Sequence, residues 1–360
     1  MGCRHDHHVH GAPTRRRFLG AMAAAGAGAL LPNATLFSQT ALSERRLIDV
    51  HHHLLPPTFI TATQGRFVNP AQITSWSLDR ALAEMDANGV AMAFSSVTQP
   101  GVWLGKGIEA ARALSRECNE YQARVVQDHP GRFGAFAVLP LPDTEGSLRE
   151  LEYALDTLKA DGIGLLTSYD DKWLGDPLFM PVLDELNRRR AVVYVHPNAP
   201  NCCRTLMPSV SPNMIEYPQD STRAITNLLF SGALNRLRDV RFIFSHGGGT
   251  LPMLAGRIAQ LATPRDLEKI PSGVEAELKR LYYEIANTAH RPAIAALKEM
   301  APISQILFGT DFPFVPVKST ADGMTRVGLS AAEQRAIAFE NVSTLLPRAR
   351  QRTQGEKGSR

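Results

Sequence analysis

From residue 47 onward, short apolar runs alternate with longer stretches whose apolar residues recur at helical spacing. The runs lie near 47–51, 91–97, 133–139, 163–167, 192–196, 241–246, 281–286 and 305–309. The helix-like stretches cover 78–88, 108–127, 148–159, 178–189, 221–237, 251–261 and 292–300. Gly89, Gly134, Gly162 and Gly164 punctuate the junctions. Eight strands with helices between them predict an α/β protein, a (β/α)8 TIM barrel. A doubly wound open sheet is the competing architecture. It calls for a Gly-rich turn after the first strand, and here that strand ends in histidines. Two insertions, 56–76 and 197–219, follow the first and fifth strands, at the end where a barrel builds its active site.

The first 40 residues follow a different pattern. Thr14-Arg15-Arg16-Arg17-Phe18-Leu19-Gly20 resembles the twin-arginine export signal, and a weakly apolar Ala/Gly run over 21–31 follows it. That run is too short and too poor in large side chains for a transmembrane helix. The expectation is an exported, periplasmic protein. His5, His7, His8 and His10 precede the run and would leave with it, so they are set aside as metal ligands. The domain reading is a leader over 1–40, a barrel over 41–347 and a polar tail over 348–360.

Composition adds limits. The 360-residue chain is 44% hydrophobic and 21% charged, which suits a globular protein with a large core. Its formal net charge is +4, and Arg4, Arg15, Arg16 and Arg17 against Asp6 put +3 of it in the leader. The remainder is close to neutral, and nothing predicts a nucleic-acid partner. Cys3, Cys118, Cys202 and Cys203 form neither a disulfide framework nor a Cys-x-x-Cys zinc pair.

Candidate chemistry collects at strand ends. In Asp49-Val-His51-His-His53 two histidines two residues apart share one face of a strand. His196 closes the fifth run, His246 the sixth and Asp311 the eighth. In a barrel these ends converge. Imidazoles and a carboxylate suit a borderline divalent ion, zinc first, with manganese or iron as alternatives. The predicted ligands are His51, His53, His196 and Asp311. His52 lies on the opposite face, and Asp49, sharing the ligands' parity, is expected to orient one of them.

These segments, with Ser245-His246-Gly-Gly-Gly249 and Phe308-Gly-Thr-Asp311-Phe-Pro313, resemble the amidohydrolase superfamily. The likeness is strongest to its decarboxylase branch, typified by aminocarboxymuconate-semialdehyde decarboxylase. It spans about 47–345 and includes the softer matches Leu82-Ala-Glu-Met-Asp86-Ala-Asn-Gly-Val90 and Phe339-Glu-Asn341. The resemblance implies a barrel of the metal-dependent hydrolase type with one catalytic ion. It implies His246 and Asp311 as catalytic residues, and Arg257 as a substrate contact offered to a neighbouring subunit, hence a homodimer. Binuclear members carry a lysine at the end of the fourth strand; here Thr167-Ser-Tyr stands there instead, which favours a single ion.

Two reactions remain open. One is decarboxylation of an aromatic or unsaturated carboxylic acid, with the substrate chelated by the ion and His246 moving a proton. The other is hydrolysis of a lactone, amide or ester by ion-activated water. A metal-binding protein without turnover is a third class. The His-Gly-Gly-Gly run could supply a lipase-type oxyanion hole, but no Gly-x-Ser-x-Gly elbow accompanies it. Its glycines are expected to let the backbone approach a ligand. Trp76, Trp103 and Phe312 are candidate walls for an aromatic substrate. Tyr283 and Asn287 flank the end of the seventh strand.

Overall fold

The computed structural model describes residues 47–66 and 70–355. The leader expected over residues 1–40, with its histidines, lies outside the described residues. Eight parallel strands form one sheet in sequential order: β1 (Leu47–His53), β2 (Val90–Ser96), β3 (Phe133–Val138), β4 (Gly162–Leu166), β5 (Val192–His196), β6 (Arg241–Phe244), β7 (Tyr282–Glu284) and β8 (Ile306–Leu307). The ring closes between β1 and the segment after β8. Val50 N donates to Phe308 O at 3.0 Å and His53 N to Phe312 O at 2.8 Å. The main helix after each strand is, in order, α1 (Leu78–Ala87), α2 (Ile108–Asp128), α3 (Thr144–Glu152), α4 (Met180–Arg188), α5 (Pro212–Phe230), α6 (Leu251–Leu261), α7 (Arg291–Met300) and α8 (Val317–Arg326). This is the predicted (β/α)8 barrel.

Alternation along the strands divides the core in two. Ile48, Val50, Met92, Phe94, Phe136, Tyr194, Ile243 and Leu307 fill the barrel interior. Leu47, Ala93, Phe133, Ile163, Val195 and Phe244 face the helices. Each fully buried Val, Leu, Ile, Phe or Met among them contributes roughly 1.5–3 kcal/mol. The interior cluster also includes Val342, Leu345, Leu346 and Ala349, from the chain's last helices. Packing against the barrel therefore continues past residue 347. Pro347–Gly355 is helical, Ala349 is fully buried and Arg348 Nε pairs with Asp161 Oδ1 at 2.9 Å.

One helix boundary matters for function. The helical spacing predicts a start at 221, but α5 begins at Pro212 and carries Pro218 inside it. Proline suits a helix's first position and here also interrupts the pattern one would read upstream of 221. The extra turns bring Tyr217 and Pro218 to the rim of the barrel. No described helix is long and apolar enough to cross a membrane.

Candidate metal centre and active site

A local slip in β1 decides what faces the pocket. Asp49 pairs with Ala93 and His52 with Ser95, so three steps on β1 match two on β2. Such a bulge turns two successive residues to one face. Val50 packs inside the barrel and the His51 ring lies near Tyr194 there, centroids 5.3 Å apart. Beyond the slip alternation resumes. His53 faces His196 with centroids 4.9 Å apart. His52 instead stacks on Phe312 in the layer between strands and helices, at 4.9 Å and 20°.

The slip overturns the reading of Asp49. Strict alternation groups it with the ligands; the bulge places it with His52. Its carboxylate accepts from His51 N (2.9 Å), His52 Nδ1 (3.1 Å), Thr310 N (3.1 Å) and Thr310 Oγ1 (2.5 Å). It fastens β1 to the turn after β8 and orients neither ligand ring.

The four predicted ligands do converge. His51, His53, His196 and Asp311 are buried, and one ligand atom from each lies within 4.8 Å of all the others. His51 Nε2 is 3.1 Å from His53 Nε2, and Asp311 Oδ1 is 3.2 Å from both. That spacing fits neighbouring donors around an ion bound at about 2.0–2.2 Å. Each imidazole turns its Nδ1 to an oxygen that can only accept. His51 faces Glu284 Oε1 at 2.8 Å, His53 the Ser96 carbonyl at 3.3 Å and His196 the Pro197 carbonyl at 2.8 Å. Nδ1 must therefore donate, which leaves all three Nε2 lone pairs for a cation.

Electrostatics agree. Burial acts to raise the Asp311 carboxyl, but His51 and hydrogen bonds from His246, His51 and His53 hold it well below the usual carboxylate range. Burial opposes charge on His51 too, yet the Glu284 and Asp311 carboxylates carry it to about 10. Burial lowers His53, and it drives His196 well down with help from His53 and His51. An ionised carboxylate beside neutral His53 and His196 is a cation site, and a metal can replace the proton on His51.

Asp311 divides its two oxygens. Oδ1 faces the ligand nitrogens, while Oδ2 meets His246 Nε2 at 3.4 Å and accepts from Asn287 Nδ2 at 2.8 Å. Three of these residues sit in left-handed backbone: His246 (φ 53°), Asn287 (φ 57°) and Asp311 (φ 65°). Strain of this kind persists where surroundings over-determine it, often at active sites. Asn287 thus faces the site, whereas Tyr283 turns away and donates to Leu278 O at 2.9 Å.

Glu284 escaped the sequence reading. It is fully buried, and its Oε1 also accepts from His246 N at 2.7 Å. The available signal was a charged residue inside the apolar run Leu281-Tyr-Tyr-Glu284-Ile, since a buried carboxylate needs partners.

The open side is a cavity of about 510 Å³ lined by Gln99, Met214, Tyr217, His246, Asn287 and Phe314, among others. A second cavity of about 500 Å³ shares Gln99 and Tyr217 with it; Trp103 lines this one, donating to Asp170 Oδ2 at 3.0 Å. Neither Phe312 nor Trp76 lines either cavity. Phe312 is spent on His52, and Phe314, edge-on to His53 at 5.4 Å, takes the wall position instead. Phe312 is the neighbour of Asp311 in sequence but takes the opposite face, with His52. Trp76 is packed in the outer core. Arg257 lies exposed on α6 and lines neither of these two cavities. The glycines after His246 serve the chain's own packing. A Cβ at Gly249 would meet Pro218 O at 2.0 Å, and one at Gly248 the Tyr283 ring at 2.9 Å.

Fold and centre together define a metal-dependent (β/α)8 barrel with its site at the C-terminal ends of the strands. The family profile described as Amidohydrolase matches residues 48–348, and the chain belongs to that family. A decarboxylase (yanB) of Aspergillus niger is 36% identical over 84% of this chain and 87% of its own length. The 6-methylsalicylic acid decarboxylase of Aspergillus aculeatus is 36% identical over 82% of this chain and 92% of its own. Among solved structures, the 5-carboxyvanillate decarboxylase of Novosphingobium aromaticivorans, complexed with manganese and 4-hydroxy-3-methoxy-5-nitrobenzoic acid, superposes with a TM-score of 0.76. It is 19% identical and covers 84% of this chain and 96% of that one.

Proposed function

We propose that this chain is a carboxy-lyase, a metal-dependent non-oxidative decarboxylase of a small aromatic carboxylic acid. The observation that carries the reading is the division of Asp311, with one oxygen among the ligand nitrogens and the other beside His246. It sets a proton carrier next to the place where a cation-held substrate would lie. The decarboxylase relatives support it. His51, His53, His196 and Asp311 would hold a divalent ion, which would supply Lewis-acid attraction for an anionic substrate. His246 then delivers a proton to the ring carbon that bears the carboxylate, forming a C–H bond. The bond to the carboxylate breaks, its electron pair restores the aromatic ring, and carbon dioxide leaves. Phe314, Met214 and Tyr217 give the ring an apolar wall, and the cavity's volume suits one substituted ring.

The donor set favours zinc, with manganese, present in a structural relative, as the rival. Arg257 is offered to a second subunit's cavity; its exposed place on α6, beside Met253, supports that role and a homodimer. The arginine-rich leader supports export through the twin-arginine route to the periplasm.

The test is to give purified protein loaded with zinc or manganese a panel of hydroxybenzoates and to measure carbon dioxide. Release is expected with at least one. Silence across the panel, alongside hydrolysis of a lactone panel, would overturn the reading in favour of ion-activated water. His246→Ala is expected to lower kcat by about 10²–10⁴-fold with metal content unchanged.

A further inference from the structure

The three ligand imidazoles are not backed alike. His53 and His196 rest on main-chain carbonyls, of Ser96 and Pro197. Only His51 rests on a carboxylate, and that carboxylate is fully buried. A buried charge is costly unless it is fully engaged. Glu284 is: Oε1 accepts from His51 Nδ1 (2.8 Å) and from His246 N (2.7 Å), and Oε2 from Ala286 N (2.6 Å). Gly309 leaves it room, since a Cβ there would stand 2.1 Å from Oε2.

We propose that Glu284 is a positioning residue that couples cation binding to the placement of the acid/base His246, through one shared oxygen. On one side, its charge fixes the His51 ring with Nε2 toward the ion and makes that nitrogen a better donor. On the other, it holds the N–H of a residue kept in left-handed backbone at φ 53°. His246 meets Asp311 Oδ2 at 3.4 Å, so a turn of its backbone would carry the imidazole out of reach. A ligand set needs the first contact alone; proton delivery needs the second. One carboxylate supplies both, so the ion and the proton carrier keep a common register.

The test uses the full-length chain and separates the two contacts. Zinc and manganese affinities are measured first, without substrate, by competition with a chromophoric chelator. Glu284→Ala is expected to weaken binding by about 10–100-fold. At saturating metal, kcat is expected to stay at least about tenfold down with KM changed less than about threefold, the pattern of a lost transition-state contact. Glu284→Gln keeps one accepting oxygen for His51 and His246, turns its amide NH2 toward the Ala286 N–H and loses the charge, so it is expected to restore part of kcat but little of the metal affinity. Recovery of full kcat by Glu284→Ala on metal saturation would overturn the coupling, as would unchanged metal affinity. If Glu284→Ala does not fold, Glu284→Asp, which keeps the charge but draws it back from His51 Nδ1 and the His246 N–H, takes its place with smaller losses of the same two kinds expected. The kinetic arm rests on the decarboxylase reading. Should the wild type decarboxylate nothing, that reading fails alone, and a crystal structure of the variant decides the coupling: departure of His246 from left-handed backbone supports it, and an unmoved His246 overturns it.

Discussion

Two buried aspartates stand at the same end of this barrel and do opposite things. Asp220, on α5, accepts from Thr167 Oγ1, Ser168 Oγ (3.0 Å) and Trp173 Nε1 (2.7 Å), all neutral donors, with Arg223 at 4.0 Å. Burial dominates there and raises its carboxyl above the ordinary value. Asp311 is surrounded by imidazoles and held well below it. Neutral donors satisfy an acid's lone pairs without matching its charge; a charged imidazole such as His51, or a cation, matches the charge itself. The first arrangement ties the end of β4 and the short hairpin 168–173 to α5. The second is a place for an ion. At the fourth strand, where binuclear relatives in the superfamily have a lysine, Thr167 is engaged with Asp220 and the Asn198 N–H. That agrees with a single metal ion.

The sharpest way to break this comparison is to remove each charge in turn. Asp311→Asn is expected to lower kcat/KM by about a thousandfold or more, several kcal/mol of lost metal-assisted stabilisation, with little loss of thermal stability. Asp220→Ala is expected to do the reverse. It strands the Thr167, Ser168 and Trp173 donors and costs about 1–3 kcal/mol of stability, while metal content stays at wild-type level. Parallel melting curves, metal analysis and kinetics check both. If Asp220→Ala empties the metal centre, or Asp311→Asn unfolds the barrel, the contrast is wrong.

A finer cut lies within the Asp311 site. Asn287 donates to Oδ2, the oxygen that also faces His246. Asn287→Ala removes one charge-assisted hydrogen bond, and a fall in kcat of roughly tenfold is expected. Metal affinity should stay close to wild type because Oδ1 faces the ligands. A metal loss as large as that of Asp311→Asn would show that the two oxygens are not divided as described.

The sequence showed the centre more clearly than its support. Strand ends marked by His51, His53, His196 and Asp311 were legible because a barrel gathers such ends by topology alone. Asp49 was misread because a bulge cancels the alternation that any parity argument uses. Phe312 is expected at the wall only because it neighbours Asp311, and neighbouring residues near a strand end take opposite faces; Phe314 carries the wall. Glu284 and Asp220 were invisible as partners because each meets its donors across long sequence separations, His51 to Glu284 and Thr167 to Asp220. Tyr217 entered the pocket through helical turns that began upstream of Pro218.

The smallest expected effect isolates charge from hydrogen bonding at Asp220. Asn is nearly isosteric, its oxygen can accept from Trp173, and the hydroxyls of Thr167 and Ser168 can rotate to accept from its amide. Asp220→Asn should therefore change stability by under about 1 kcal/mol at neutral pH. Its pH dependence carries the argument. Burial raises the folded pKa of Asp220 above its unfolded value. The folded state then disfavours the ionised form, and that penalty is fully present above the folded pKa. It fades as pH falls through the folded pKa and is gone below the unfolded value, near 3.9. The asparagine has no such penalty. The stability of Asp220→Asn relative to wild type should thus be most favourable near pH 7 and decline toward acid. Denaturant unfolding of both proteins at several pH values between these limits measures the difference. A flat difference, or one that grows toward acid, would mean that the neutral donors and Arg223 match the Asp220 charge after all, and the two aspartates would no longer be opposites.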